Sequence, residues 1–99
     1  MTIKRIGVTS EYGPLMSRAV IYGDTVMLSG VVAGDLSQDT EAQTREILRT
    51  IDRLLAEAST NRNNVLTAHI WLTDMANFQH RNVGWNDRVE AASPPARTC

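Results

Sequence analysis

Few side chains in this sequence could do chemistry. Arg97 stands two residues before Cys99, the chain's single cysteine, just past Ser93-Pro94-Pro95. A guanidinium stays charged and offers paired, coplanar donors, so an arginine held in a cleft can grip a carboxylate. Taken alone, an arginine at this place is an ordinary surface or interface residue. A thiol becomes a nucleophile only when its pKa is lowered or a base stands beside it. Neither His69 nor His80 is near Cys99 in the sequence, so an inert buried thiol is the plainer reading of that cysteine. A single cysteine excludes an internal disulfide. With only two histidines, far apart in sequence, it also argues against a structural zinc site. No cofactor is implied, and His69 and His80 read as packed or solvated histidines.

The elements that must position Arg97 come from a short chain. Its 99 residues allow one domain, 1–99. A domain of this size keeps much of its chain near the surface, so association with further copies is a natural source of extra burial. The hydrophobic fraction of 42% and the charged fraction of 21% are those of a soluble globular protein. A net charge of -1 gives no basic stripe for nucleic acid. The first fourteen residues, MTIKRIGVTSEYGP, lack an apolar signal-peptide core. No run reaches the roughly 18 apolar residues of a membrane helix. A reducing, cytoplasmic location is expected.

Residues 2–8 read as a short strand, and Gly13-Pro14 marks a turn. Residues 17–22 and 25–32 are rich in strand formers and are separated by Gly23-Asp24, a link suited to a tight hairpin. Thr40-Glu41-Ala42-Gln43 matches a capping box opening a helix that runs to about Ala58. Ile47, Leu48, Ile51, Leu54, Leu55 and Ala58 form its apolar stripe. Glu46, Arg49, Arg53 and Glu57, on the opposite side, read as a solvated face.

Residues 65–73 alternate as a strand, with Leu66, Ala68, Ile70 and Leu72 on one face. Asp74 is placed to cap a second helix reaching about Ala92, with Met75, Phe78, Trp85 and Val89 as its stripe. Ser93-Pro94-Pro95 stops that helix, and Ala96 opens a further strand. Strand, helix and strand in this order imply a parallel pair. Two helices then cover one face of the sheet. The other would present Met27, Ser29, Val31, His69 and Trp71, too apolar a surface to leave in water, and is expected to be a subunit interface.

The segment S-P-P-A-R-T-C follows a helix of the form N-F-x-x-x-N-x-x-W. With L-S-G-V-V, E-A-Q-T and T-A-H-I-W-L-T-D, it resembles the signature of the Rid (YjgF-like) family across essentially the whole chain, in a divergent branch. The resemblance implies a chorismate-mutase-like α+β fold: a twisted mixed sheet with two helices on one face, assembled as a trimer with ligand clefts between subunits. It implies hydrolysis of 2-enamino and 2-imino acids to 2-keto acids and ammonia, without metal or cofactor. Arg97 matches the arginine that holds the substrate carboxylate. Cys99 matches a cysteine lining the cleft. Ser29 and Gly30 match the strand end that offers backbone groups to the ligand, and Asn82 matches an asparagine beside the cleft. The partners implied are small 2-imino and 2-keto carboxylates and further copies of the chain.

Three departures from that pattern matter. Leu15 stands where the best-studied branch has a tyrosine after Gly-Pro, which makes the cleft more apolar. Arg81 and Arg88 fall where relatives carry apolar residues, and their stems could lie along apolar surface with their heads in water. The chain stops at Cys99, where relatives continue with another strand region that carries a water-positioning glutamate, so no residue takes that role. A truncated sequence is the expectation, which an intact mass equal to 11.0 kDa would rule out. Leu15 and the missing glutamate favour a second reading, a trimeric protein that binds small carboxylates without turning them over. A ribonuclease role, attached to some relatives, fits poorly with near-neutral charge.

Overall fold

The computed structural model describes residues 2–72, 78–89 and 93–98. Five short strands and two helices follow in the order β1 (Ile3–Ile6), β2 (Ala19–Tyr22), β3 (Thr25–Leu28), α1 (Thr40–Glu57), β4 (Thr67–His69), α2 (Phe78–Arg88) and β5 (Ala96–Thr98). The first helix, the hairpin and the strand after the proline pair are where the sequence places them, and of the second helix expected over 74–92, Phe78–Arg88 is described as helix. The expected strand 25–32 is regular only to Leu28, and 65–73 only over Thr67–His69. The expected cap at Asp74 lies outside the described residues.

β1, β2 and β3 form an antiparallel meander. Tyr22 pairs with Thr25, so Gly23-Asp24 is the two-residue link. Gly23 holds φ at 63°, which glycine adopts without steric cost. Ile6, Ala19 and Leu28 oppose one another across the meander, and Ala19 is fully buried. Arg5, Val20 and Met27 oppose one another on the other face. β4 and β5 pair in parallel as a second, two-stranded sheet around α2, as the strand–helix–strand order implies. The strands are thus divided between two hydrogen-bonded sheets. A wide groove runs between β3 and β4, and Ile47, Leu48 and Ile51 of α1 face it.

α1 starts one residue earlier than the capping box indicates. Asp39, not Thr40, is the cap, and its carboxylate accepts from the Ala42 backbone N–H at 2.8 Å. Asp39 has the extended backbone that a cap requires, whereas Thr40 is already helical. The apolar stripe buries Leu54 and Leu55, each worth roughly 1.5–3 kcal/mol by transfer from water. Arg49, Arg53 and Glu57 are exposed as expected. Glu46 is not simply solvated, because its Oε2 accepts from the Gly34 N–H at 3.2 Å and ties the loop before the helix to the helix itself.

α2 packs closely on α1 because of Gly84. A Cβ there would stand 2.8 Å from the Glu41 carbonyl oxygen and 3.1 Å from the Thr44 Cβ. Arg81, one turn earlier on α2, is enclosed with it and only 1% exposed. Its head does not reach water as expected for a stem lying along apolar surface. It is held inside, where its Nη2 donates to the Asn82 Oδ1 at 3.2 Å. Among the described residues, no helix is long and apolar enough to cross a membrane. Met27 and Trp71, assigned by alternation to the outer face, are 67% and 84% exposed.

Candidate functional site

Arg97 is the middle residue of β5 and pairs with Ala68 of β4. The strand is fixed at both ends: Ala96 donates to the Leu66 carbonyl at 3.0 Å, and Ile70 donates to the Thr98 carbonyl at 2.8 Å. Ala96 and Thr98 are exposed, while Arg97 alternates to the opposite side and is half-buried. There its guanidinium carbon lies 5.3 Å from the centroid of the Trp85 ring of α2. The ring face attracts the cation and fixes the direction of its planar fork.

Asn82 lies one turn before Trp85 and is half-buried. Its Oδ1 accepts from Arg81 Nη2 at 3.2 Å. A charged donor thereby sets the orientation of the amide. The Arg88 side chain and Cys99 lie outside the described residues.

Ser29 and Gly30 follow β3 and form a second group. Ser29 donates its N–H to the Arg18 carbonyl at 3.0 Å, and its hydroxyl donates to the Gly30 carbonyl at 3.4 Å. Gly30 faces open space where a Cβ would be. A small cleft of about 150 Å³ opens here, lined by Tyr12, Met16, Arg18, Gly30, Val31 and Val32. Leu15 is 77% exposed and is not among those residues. Tyr12, three residues earlier, brings a phenol to the cleft that sequence spacing did not reveal. The loop doubles back to do so: Thr9 and Met16 exchange two backbone hydrogen bonds of 2.8 Å, and Gly13 turns the tip with φ at 109°.

The candidates therefore fall into two groups, Arg97 with Asn82 beside α2 and Ser29 with Gly30 at the end of β3. His69 is exposed, with its ring 6.2 Å from that of Trp71, and His80 is exposed on α2. No group of three or more metal-ligating side chains occurs among the described residues. Asp35, an exposed loop residue, has its carboxyl held below the usual range by the Ser37 hydroxyl and backbone N–H.

An α+β fold of this topology is that of YjgF-like proteins. The chain belongs to this family: the family model described as Endoribonuclease L-PSP matches residues 3–99. A RutC family protein of Haemophilus influenzae is 36% identical over 98 residues, covering 98% of this chain and 81% of that protein. The RutC family protein YoaB of Escherichia coli is 33% identical over 97 residues, again covering 98% and 81%. A YjgF family protein from Neisseria meningitidis superposes with a TM-score of 0.91 at 35% identity, over 100% of this chain and 79% of that one.

Proposed function

We propose that the protein hydrolyses 2-imino and 2-enamino acids to 2-keto acids and ammonia, with Arg97 holding the substrate carboxylate. The observation that carries this reading is the half-buried guanidinium of Arg97 laid on the Trp85 ring at 5.3 Å. An oriented fork is what a carboxylate clamp requires.

An enamine first takes a proton at carbon to become the imine. Water then adds to the imine carbon, forming a C–O bond while the C=N electrons move to nitrogen, which takes a proton. The tetrahedral adduct collapses to the carbonyl and expels ammonia. An imine carbon is already activated, so holding it beside water can supply much of the acceleration. Ser29 and Gly30 would offer backbone groups to the same ligand, with Asn82 and Cys99 lining its surroundings.

Self-association would cover Met27 and Trp71 and could bring the two groups of candidates together from different copies. A trimer is the assembly we favour. The family description mentions an endoribonuclease. A net charge of -1 supplies little attraction for a phosphate backbone, and we favour imino acid chemistry over RNA cleavage.

The test is release of ammonia and keto acid from imino acids made in place by an amino-acid oxidase. We expect faster release with the protein, lost in Arg97→Ala. A folded protein that binds keto acids without accelerating release would instead be a binding protein.

A further inference from the structure

The cleft beside Gly30 contains a positioned cation with no role in the account above. Three features hold Arg18 in place. Its backbone N–H donates to the Ile6 carbonyl at 2.9 Å, and its carbonyl accepts from Ser29 at 3.0 Å. Its stem crosses Gly7, where a Cβ would come within 2.6 Å of Arg18 Cγ, so only glycine leaves room. Its guanidinium carbon lies 5.2 Å from the Tyr12 ring centroid, and Nη1 donates to the Tyr12 hydroxyl at 3.0 Å.

Arg45 pairs with Glu41 at 2.8 Å and Arg62 with Asp52 at 3.3 Å. Among the described residues, no carboxylate pairs with Arg18. One donor engages Tyr12, and the remaining guanidinium N–H groups can still meet an anion. The Tyr12 hydroxyl, having accepted from Arg18, keeps its own proton to donate to the same anion. The remaining side chains of the cleft, Met16, Val31 and Val32, are apolar and suit a short aliphatic stem. A cavity of about 150 Å³ holds a molecule about the size of benzene. A side chain of two methylenes and a carboxylate fits within that volume.

We propose that Arg18 and Tyr12 determine specificity by receiving the side-chain carboxylate of a dicarboxylic 2-imino or 2-keto acid. This rests on the reading that Arg97 holds the 2-carboxylate of the same ligand. Gly30 lines this cleft and is also a candidate ligand contact, and the cleft would meet Arg97 where copies of the chain assemble as proposed above. The preferred ligands are those derived from acidic amino acids.

The experiment is calorimetric titration with 2-oxoglutarate and with 2-oxobutyrate, which has only one carboxylate. Wild-type protein should bind 2-oxoglutarate more tightly. Arg18→Met keeps an apolar stem and should weaken 2-oxoglutarate by about 10- to 100-fold, the range for a lost hydrogen bond to a charged group, and leave 2-oxobutyrate unchanged. Tyr12→Phe should act in the same direction by less. Arg18→Lys should recover part of the preference, which a purely structural role would not require. Arg97→Ala should weaken both acids. A wild-type preference for 2-oxobutyrate, or an Arg18→Met effect equal on both acids, overturns the proposal. Loss of the preference in Arg18→Met with both acids insensitive to Arg97→Ala overturns the Arg97 reading and the shared ligand with it. If neither acid binds the folded wild-type protein, both ideas fall.

Discussion

The guanidinium carbon of Arg97 lies 5.3 Å from the centre of the Trp85 ring, so a residue of β5 is oriented by a residue of α2. The chain between them passes through Ser93-Pro94-Pro95, directly before β5. The candidate clamp is therefore a product of helix–strand packing.

Replacing the aromatic platform should weaken the clamp without removing it. Trp85→Leu should reduce carboxylate affinity by about 2- to 5-fold, the scale of a partly exposed cation–π contact. Trp85→Phe should retain part of it. Calorimetry with 2-oxobutyrate measures this, and an unchanged affinity in Trp85→Leu would show that the ring does not orient Arg97.

Gly84 sets the approach of α2 to α1. Alanine favours helix, yet Gly84→Ala places a Cβ 2.8 Å from the Glu41 carbonyl oxygen. We expect the clash to win, with a loss of about 1–3 kcal/mol in urea unfolding. A stabilised variant would mean that the two helices separate easily.

The helix cap gives a second stability test. Asp39→Ala should cost about 0.5–2 kcal/mol, because the Ala42 N–H loses its acceptor. Thr40→Ala should cost less than Asp39→Ala, since Thr40 is not the cap. The reverse order would restore the capping box read from the sequence.

Assembly can be tested at the exposed outer face. Trp71 is 84% exposed, and a single charge at its place should oppose burial against another copy. Light scattering on Trp71→Glu should give a smaller species than wild type. A wild-type protein that is already a stable, soluble monomer would remove the proposed interface.

Much of the architecture was legible because it follows from local pattern. The apolar stripe of α1 has helical period, Gly23-Asp24 fits a two-residue hairpin, and the proline pair separates α2 from β5. What sequence alone missed depends on contacts across the fold. Asp39 and Thr40 are both good caps, and only backbone geometry decides between them. Glu46 looked solvated because Gly34, its partner, is twelve residues away in a loop. Arg81 looked able to reach water because its burial is set by how the elements pack, which local sequence does not show. Arg97 was legible as a motif residue, while its Trp85 platform and the Tyr12–Arg18 pair appear only once the loops and elements are folded together.

The most direct test of the carboxylate clamp uses Trp85 as its own reporter. In a Trp71→Phe background, Trp85 is the only tryptophan. A carboxylate gripped by the Arg97 guanidinium against the ring should change Trp85 emission saturably as 2-oxobutyrate is added. The account predicts that Arg97→Ala abolishes this change in a protein of unchanged fold. A saturable change that persists at the same affinity in Arg97→Ala would contradict it, and so would no change while calorimetry records binding.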